Sequence, residues 1–456
     1  MATPIAATAT PRALARPGGV REVTLLAYPI VLTQMSQTVM SVVDSIFVGH
    51  LGAAELGALG FAGIWLWTVM SFFSGTATGV QTFVSQAHGA GDERACGPWA
   101  WQALYAVVPA ATLAAFAFVA IAEPLWRLMG TTGEIRDYAL AYARMRPLGF
   151  MGLGFWMVLA SFFRGLGDTR TPLVATLVAN AANALLAWGL VFGHLGLPAW
   201  GVAGAGVATS IAEWVGVAVL GFALVRPSLR HRYATRPVPP SARAIRRFLR
   251  TGAPIGGQWV LDMSAFAIFT TLVARMGNAS MAANQAMISL LSISFMQAIG
   301  IGLAATTLVG RYKGAAELAS GVRSVRSALG LAIGLAIAVA TVFVLAPDAL
   351  LGMYSDDPEV LRLGRPLLAL GAAFQLFDAL QIVVGGALRG AGDTRWPFLV
   401  QTGLAWVVRL PFADLFALVL GGGVVGAWYA EFVFILSLAA ALGWRFRSGA
   451  WKEVRI

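Results

Sequence analysis

The sequence predicts an all-α polytopic membrane protein, with 12 transmembrane helices in two six-helix lobes related by an internal repeat. Three observations carry this. The chain is 58% hydrophobic and only 12% charged, with a mean hydropathy of +0.75. Its apolar stretches have helical length and are separated by clusters of Gly, Pro and charge. Its two halves share residues at one fixed offset of 225.

A soluble chain is about 25% charged. One with so little charge could not wrap its apolar side chains in a polar shell, so lipid is the solvent for most of it. A span needs ~20 apolar residues. Twelve stretches reach that length, near 24–47, 56–83, 98–121, 143–163, 172–193, 201–225, 252–274, 279–308, 324–346, 366–388, 397–419 and 424–444. Residues 1–20 have no apolar h-region, so they read as a disordered cytoplasmic tail and not as a cleavable signal; the first span itself is the targeting signal. An N-lobe follows over 21–225. The segment 226–250, with eight arginines and four prolines, reads as a cytoplasmic linker lying on anionic headgroups, or as a solvated loop in the same place. A C-lobe over 251–445 and a cytoplasmic tail over 446–456 complete the chain.

An even number of spans puts both termini on one side, and the basic residues say which. Of the 32 Lys and Arg, 24 fall on the side of the N-terminus, 7 on the other and one, Arg409, inside a span. Cytoplasmic loops carry the excess of Lys and Arg. Both termini are therefore expected in the cytoplasm. The net charge of +11 is explained the same way. Aromatic-interleaved basic patches and zinc spacings are absent, which argues against nucleic acid as a partner.

The repeat appears in separate registers. Residues 163–172 match 388–397 through the shared element Arg-Gly-x-Gly-Asp-Thr-Arg-x-Pro. Pro29 and Ile30 fall on Pro254 and Ile255, Gly52 on Gly277, Gly75 on Gly300, and 84–89 on 309–314. Units of six spans enter the membrane in the same direction, so the repeats are parallel about an axis along the membrane normal. That architecture places a cavity between two lobes that can rock around it. Asp168 or Thr169 can cap the following helix, and Pro172 and Pro397 suit its first turn; a substrate role for the element is the other reading. The small residues Gly75, Gly79, Gly300 and Ala304 suit close helix packing.

A charge at the centre of a span costs roughly 2.5–3.5 kcal/mol or more, which makes intramembrane acids functional candidates. Asp44, Asp262, Asp378 and Asp414 qualify, with Glu213 and Glu431 as further intramembrane acids, in spans six and twelve. Asp262 and Asp378 read as a proton or cation site, with Na+ a possible occupant. Asp44 reads the same way, or as a polar helix contact near Ser41 and Ser45. Arg409 and Asp414, five residues apart, could pair with each other. The four histidines sit near span ends without metal spacing. The lone Cys96 cannot form an intrachain disulfide. Without a phosphate-binding loop, a nucleophile elbow or a zinc motif, the sequence points away from an enzyme and a cofactor. It points toward transport driven by an ion gradient. A channel would show a filter string or pore ring, and none is visible.

The run 29–58 around Asp44, the run 374–394 around Asp378 and the paired Arg-Gly-x-Gly-Asp-Thr-Arg elements together resemble the MATE (multidrug and toxic compound extrusion) transporters, of the bacterial NorM and DinF-like kind, over residues 20–445. The resemblance implies a V-shaped pair of lobes in the bacterial inner membrane. It implies export of small, often cationic and aromatic compounds against H+ or Na+ by alternating access, with lipid and substrate as the partners and nothing calling for more than a monomer. It implies Asp44 as the N-lobe acid, with Gln37 and Asn183 as polar neighbours and Pro29 as the hinge of the first helix. In the C-lobe it implies Asp262 and Asp378 as paired acids with Gln285 nearby. The chain departs from the family's pattern at Ala187, where an acid stands in some branches, at Met40 in place of Tyr, and at Asp262 in place of Glu. Arg409 is counted among the site neighbours without an assigned part. A lipid-linked precursor flippase of the same superfamily is the alternative; its anionic pyrophosphate would want several cavity arginines, and Arg409 is the one within a span.

Overall fold

A computed structural model describes residues 17–129, 131 and 133–456. The tail expected over 1–20 therefore lies outside the described residues as far as position 16. Twelve helices are long and apolar enough to cross a membrane, and no strand occurs among the described residues. They are α1 (Val20–Gly49), α2 (Ala53–Gly89), α3 (Cys96–Leu128), α4 (Pro147–Leu166), α5 (Arg170–Phe192), α6 (Gly201–Leu224), α7 (Ala242–Ala274), α8 (Asn278–Gly314), α9 (Leu318–Leu345), α10 (Pro358–Ala391), α11 (Arg395–Val419) and α12 (Gly423–Ser448).

The offset of the repeat is visible in the helix ends. Ala53–Gly89 and Asn278–Gly314 begin and end at matched positions, as do the ends of α4 and α10 and the starts of α5 and α11. Gly167 and Gly392 terminate α4 and α10 with φ of 85° and 89°, a left-handed conformation that costs glycine least. Asp168 then caps α5: its carboxylate accepts from the backbone N–H of Arg170 and Thr171 and from the Thr171 hydroxyl at 2.6 Å. Its counterpart Asp393 instead accepts from Arg445 at 2.7 Å. The shared element is thus a helix-to-helix corner.

The halves differ where their prolines differ. A short helix, Gly133–Arg144, stops before Pro147, which lacks an N–H and disfavours helix at the preceding residue. The matching position in the C-half is Ala372, and α10 runs through it unbroken. In α11, Pro411 interrupts the ladder, and π-helical turns occupy Ala405–Arg409 and Leu415–Val419.

The basic segment 226–250 is more ordered than a solvated loop. Its residues 227–233 form a short helix, and 242–250 are the first turns of α7, with Ser241 at the cap. Between them the chain is strapped to α3. Trp101, Gln102 and Tyr105 donate to the carbonyls of Thr235, Pro239 and Val238 at 3.0, 2.9 and 2.9 Å. The two prolines at 239 and 240 offer no N–H of their own, so side chains of α3 satisfy the extended backbone. The C-terminal residues are also packed: Trp451 is buried, and Lys313 donates to the carbonyls of Ala391, Trp451 and Val454.

The lobes meet at the end where α1 begins and α12 ends. Glycines permit the approach: a Cβ on Gly75 would lie 2.8 Å from the Gly256 Cα, and one on Gly79 2.9 Å from that of Gly252. Backbone contact this close replaces side-chain packing across α2 and α7. Every inter-lobe side-chain hydrogen bond among the described residues falls at this end. Gln81 donates to the Leu303 carbonyl and Thr307, Thr82 to the Arg389 carbonyl, and Gln86 to that of Gly390. Thr307 and Arg311 donate back to the carbonyls of Arg164 and Leu166, and Tyr312 to Glu22. Toward the other end α1 turns Val39, Val42 and Ile46 outward, each more than half exposed.

Candidate functional site

Each lobe holds one polar cluster inside its helices, and the two are built from different positions of the repeat. In the N-lobe, Asp44 of α1 is buried and accepts from Asn183 of α5 at 2.6 Å and from the Thr209 hydroxyl of α6 at 3.3 Å. Asn183 and Ala187 are one turn apart on the buried face of α5. The described bonds of Asp44 do not include Gln37. That residue is half-buried two turns earlier, where its carbonyl accepts from Ser41. Asn180 instead ties α5 to that part of α1, donating to Ser36 through both its carbonyl and its hydroxyl. Pro29 lies buried within a continuous α1, its carbonyl accepting from Thr33 at 2.8 Å.

Beside Asp44 lies an ion pair that the sequence did not reveal. Arg146 forks onto Glu213 at 2.7 and 3.3 Å and packs over the Phe150 ring. A bidentate guanidinium–carboxylate contact is the strong form of this interaction. Arg146 precedes Pro147 at a span edge and reads from sequence as a loop residue; only the fold turns it inward.

In the C-lobe, Arg409 of α11 is buried and contacts two carboxylates. Its Nη1 donates to Asp262 of α7 at 3.0 Å, and its Nε lies 2.9 Å from Glu431 of α12, off the line of a good hydrogen bond. Its guanidinium carbon sits 4.0 Å from the centre of the Phe434 ring. The pairing with Asp414 considered from sequence does not form. Asp414 is exposed, because five residues carry a side chain to another face of the helix, while the π turn at Ala405–Arg409 aims Arg409 inward. Asp378 of α10 is buried and accepts from Gln381 at 3.0 Å. One turn before it, Gln375 is 2% exposed, and neither amide atom has a partner among the described residues. Gln285 is exposed and makes none of the described bonds to either acid; the buried amide is its neighbour Asn284, which accepts from Trp428.

Two six-helix lobes, joined at one end and each enclosing acids that cost energy to bury, define a two-lobe membrane transport protein. The chain belongs to the MatE family, whose profile matches it twice, over 29–189 and 254–415, once per lobe. It is 32% identical to the "Probable multidrug resistance protein NorM" of Rhizobium meliloti, covering 92% of this chain and 91% of that one. It is 30% identical to the "Multidrug resistance protein NorM" of Burkholderia vietnamiensis, with 92% of each covered. Among solved structures it superposes on an "Outward-facing conformation of a multidrug resistance MATE family transporter of the MOP superfamily" with a TM-score of 0.87 at 20% identity, covering 95% of this chain and 97% of that one. A "eukaryotic MATE transporter" gives 0.85 at 21% identity, with 95% and 96% covered.

Proposed function

We propose that the protein is a secondary active multidrug exporter of the bacterial inner membrane. It antiports small organic cations against H+ or Na+ by alternating access, with both termini in the cytoplasm. The observation that carries this reading is the combination of buried carboxylates in each lobe with inter-lobe side-chain hydrogen bonds that, among the described residues, all lie at one end. The excess of basic residues at that end makes it the cytoplasmic side, so the lobes stand open to the outside. The names of the NorM relatives agree with export of drugs.

A carboxylate attracts a cationic substrate when ionised and loses that attraction when a coupling ion neutralises it. Ion entry from outside therefore lowers substrate affinity and releases the cargo, and the neutralised lobes rock inward. Such a cycle requires differential affinity between the two states. Asp44, with its two hydrogen bonds, is the coupling acid of the N-lobe, and Asp378 that of the C-lobe. The lipid-flippase alternative is disfavoured by Arg409, which is ion-paired with two carboxylates and is not free to hold an anionic headgroup.

The test is efflux of a fluorescent cationic dye from proteoliposomes under an imposed pH or sodium gradient. Wild type transports; Asp44→Asn or Asp378→Asn loses gradient-driven transport according to which lobe couples. Absence of gradient-driven movement in wild type rejects the exporter, and undiminished transport in both variants rejects these acids.

A further inference from the structure

The C-lobe cluster brings a cation of its own. Two carboxylates, Asp262 of α7 and Glu431 of α12, flank the guanidinium of Arg409 at 3.0 and 2.9 Å. Glu431 is 3% exposed, so it can be charged only beside a positive group. Phe434 closes one face of the guanidinium, a contact that favours a weakly hydrated cation. The backbone is shaped to deliver this group. Pro411 removes an N–H, the ladder widens into a π turn, and Arg409 faces inward at its end. The N-lobe has Ala184 and Leu186 at the matching repeat positions, and α5 is regular there. The device is therefore particular to the C-lobe.

Resting on the reading of the chain as a gradient-driven exporter, we propose that Arg409 is a tethered counter-ion. It fills the position between Asp262 and Glu431 that a sodium ion would otherwise take, and so makes the C-lobe insensitive to sodium. A guanidinium held by the chain cannot leave with the gradient, so Asp262 and Glu431 stay neutralised through the cycle. Among described residues, no three acids or histidines come together in a geometry that would hold a metal ion. Removing the guanidinium would expose oxygen ligands to a hard cation, which prefers carboxylate and carbonyl oxygen. Gln375, with its unpartnered amide, lies one turn from Asp378 and adds a further oxygen on that helix.

The experiment measures binding, not transport, so it stands apart from the dye assay. Retention of 22Na+ and thermal stability are followed in detergent-solubilised full-length protein, in sodium chloride against choline chloride. Wild type should bind no 22Na+ above Asp378→Asn and show no sodium-dependent shift. Arg409→Met should acquire about one bound ion per chain and a sodium-dependent rise in melting temperature, as a ligand that binds only the folded state produces. Because an unpaired Glu431 can prevent Arg409→Met from folding, the charge-balanced double variant Arg409→Met with Glu431→Gln carries the same expectation. Sodium binding by wild type that Asp378→Asn abolishes overturns the proposal. A folded single or double variant that remains silent to sodium overturns it equally. Failure of wild type to export any dye would reject the exporter and leave this result intact.

Discussion

At the residue scale, each acid is defined by its partner. Asp44 holds an amide and a hydroxyl, both neutral, so its charge is balanced by no group in direct contact. Asp262 and Glu431 share a guanidinium, and Glu213 has its own in Arg146. On the proposed exporter cycle, the neutral-partnered acids, Asp44 and Asp378, are therefore the candidates for a change of charge. Asn183→Leu removes a donor to a buried carboxylate, and such hydrogen bonds are worth about 1.5–3 kcal/mol. The expected outcome is transport weakened at least tenfold with the fold retained, checked by dye efflux alongside a melting curve; 1.4 kcal/mol already corresponds to about tenfold. The sequence pointed to Asn183 through family resemblance, and to Gln37 and Gln285 equally. Those two make none of the described bonds to the acids: Gln285 is exposed beside the buried Asn284, and Gln37 lies two turns from Asp44.

At the element scale, α11 departs from its repeat partner α5. Pro411 stands where α5 has Leu186, and the π turns follow from the missing N–H. Pro411→Ala should let α11 close into regular helix, rotating Arg409 away from Asp262 by about 100° per residue of register. The measurable consequence is an exposed, reactive guanidinium: phenylglyoxal should label Arg409 faster than in wild type. Unchanged labelling would mean that the proline does not set the π turn. The corner element behaves differently, because Gly167 and Gly392 need positive φ in both halves. That constraint is backbone geometry, so it recurs wherever the helices must turn.

At the scale of the whole molecule, closure of one end rests on backbone contact and on hydrogen bonds between the lobes. Opening that end must break the bonds of Gln81, Thr82, Gln86, Thr307, Arg311 and Tyr312. A net hydrogen bond contributes about 0.5–1.5 kcal/mol. Gln81→Leu, which removes two, should shift the population toward the state open at this end, read as longer spin-label distances between α2 and α8 near residues 86 and 314. Gly79→Leu acts by volume. Its side chain has no room against Gly252, so the lobes should part there and transport should stop while the helices remain formed, as circular dichroism would report.

Twelve spans, their even count and the 225-residue repeat were legible in the sequence, because each depends on local composition or on backbone geometry that recurs. Lipid requires every spanning backbone to bond internally, so apolar length alone predicts a helix. The Arg-Gly-x-Gly-Asp-Thr-Arg corner was legible for the same reason. What charged groups do to one another was not. Arg409 meets Asp262 across 147 residues of chain and Glu431 on the neighbouring helix α12. Arg146 finds Glu213 at a separation of 67. Such pairings depend on which face of each helix turns inward, and a helix with apolar residues on every side gives that phase no local signature. Only the packing of helix against helix decides it.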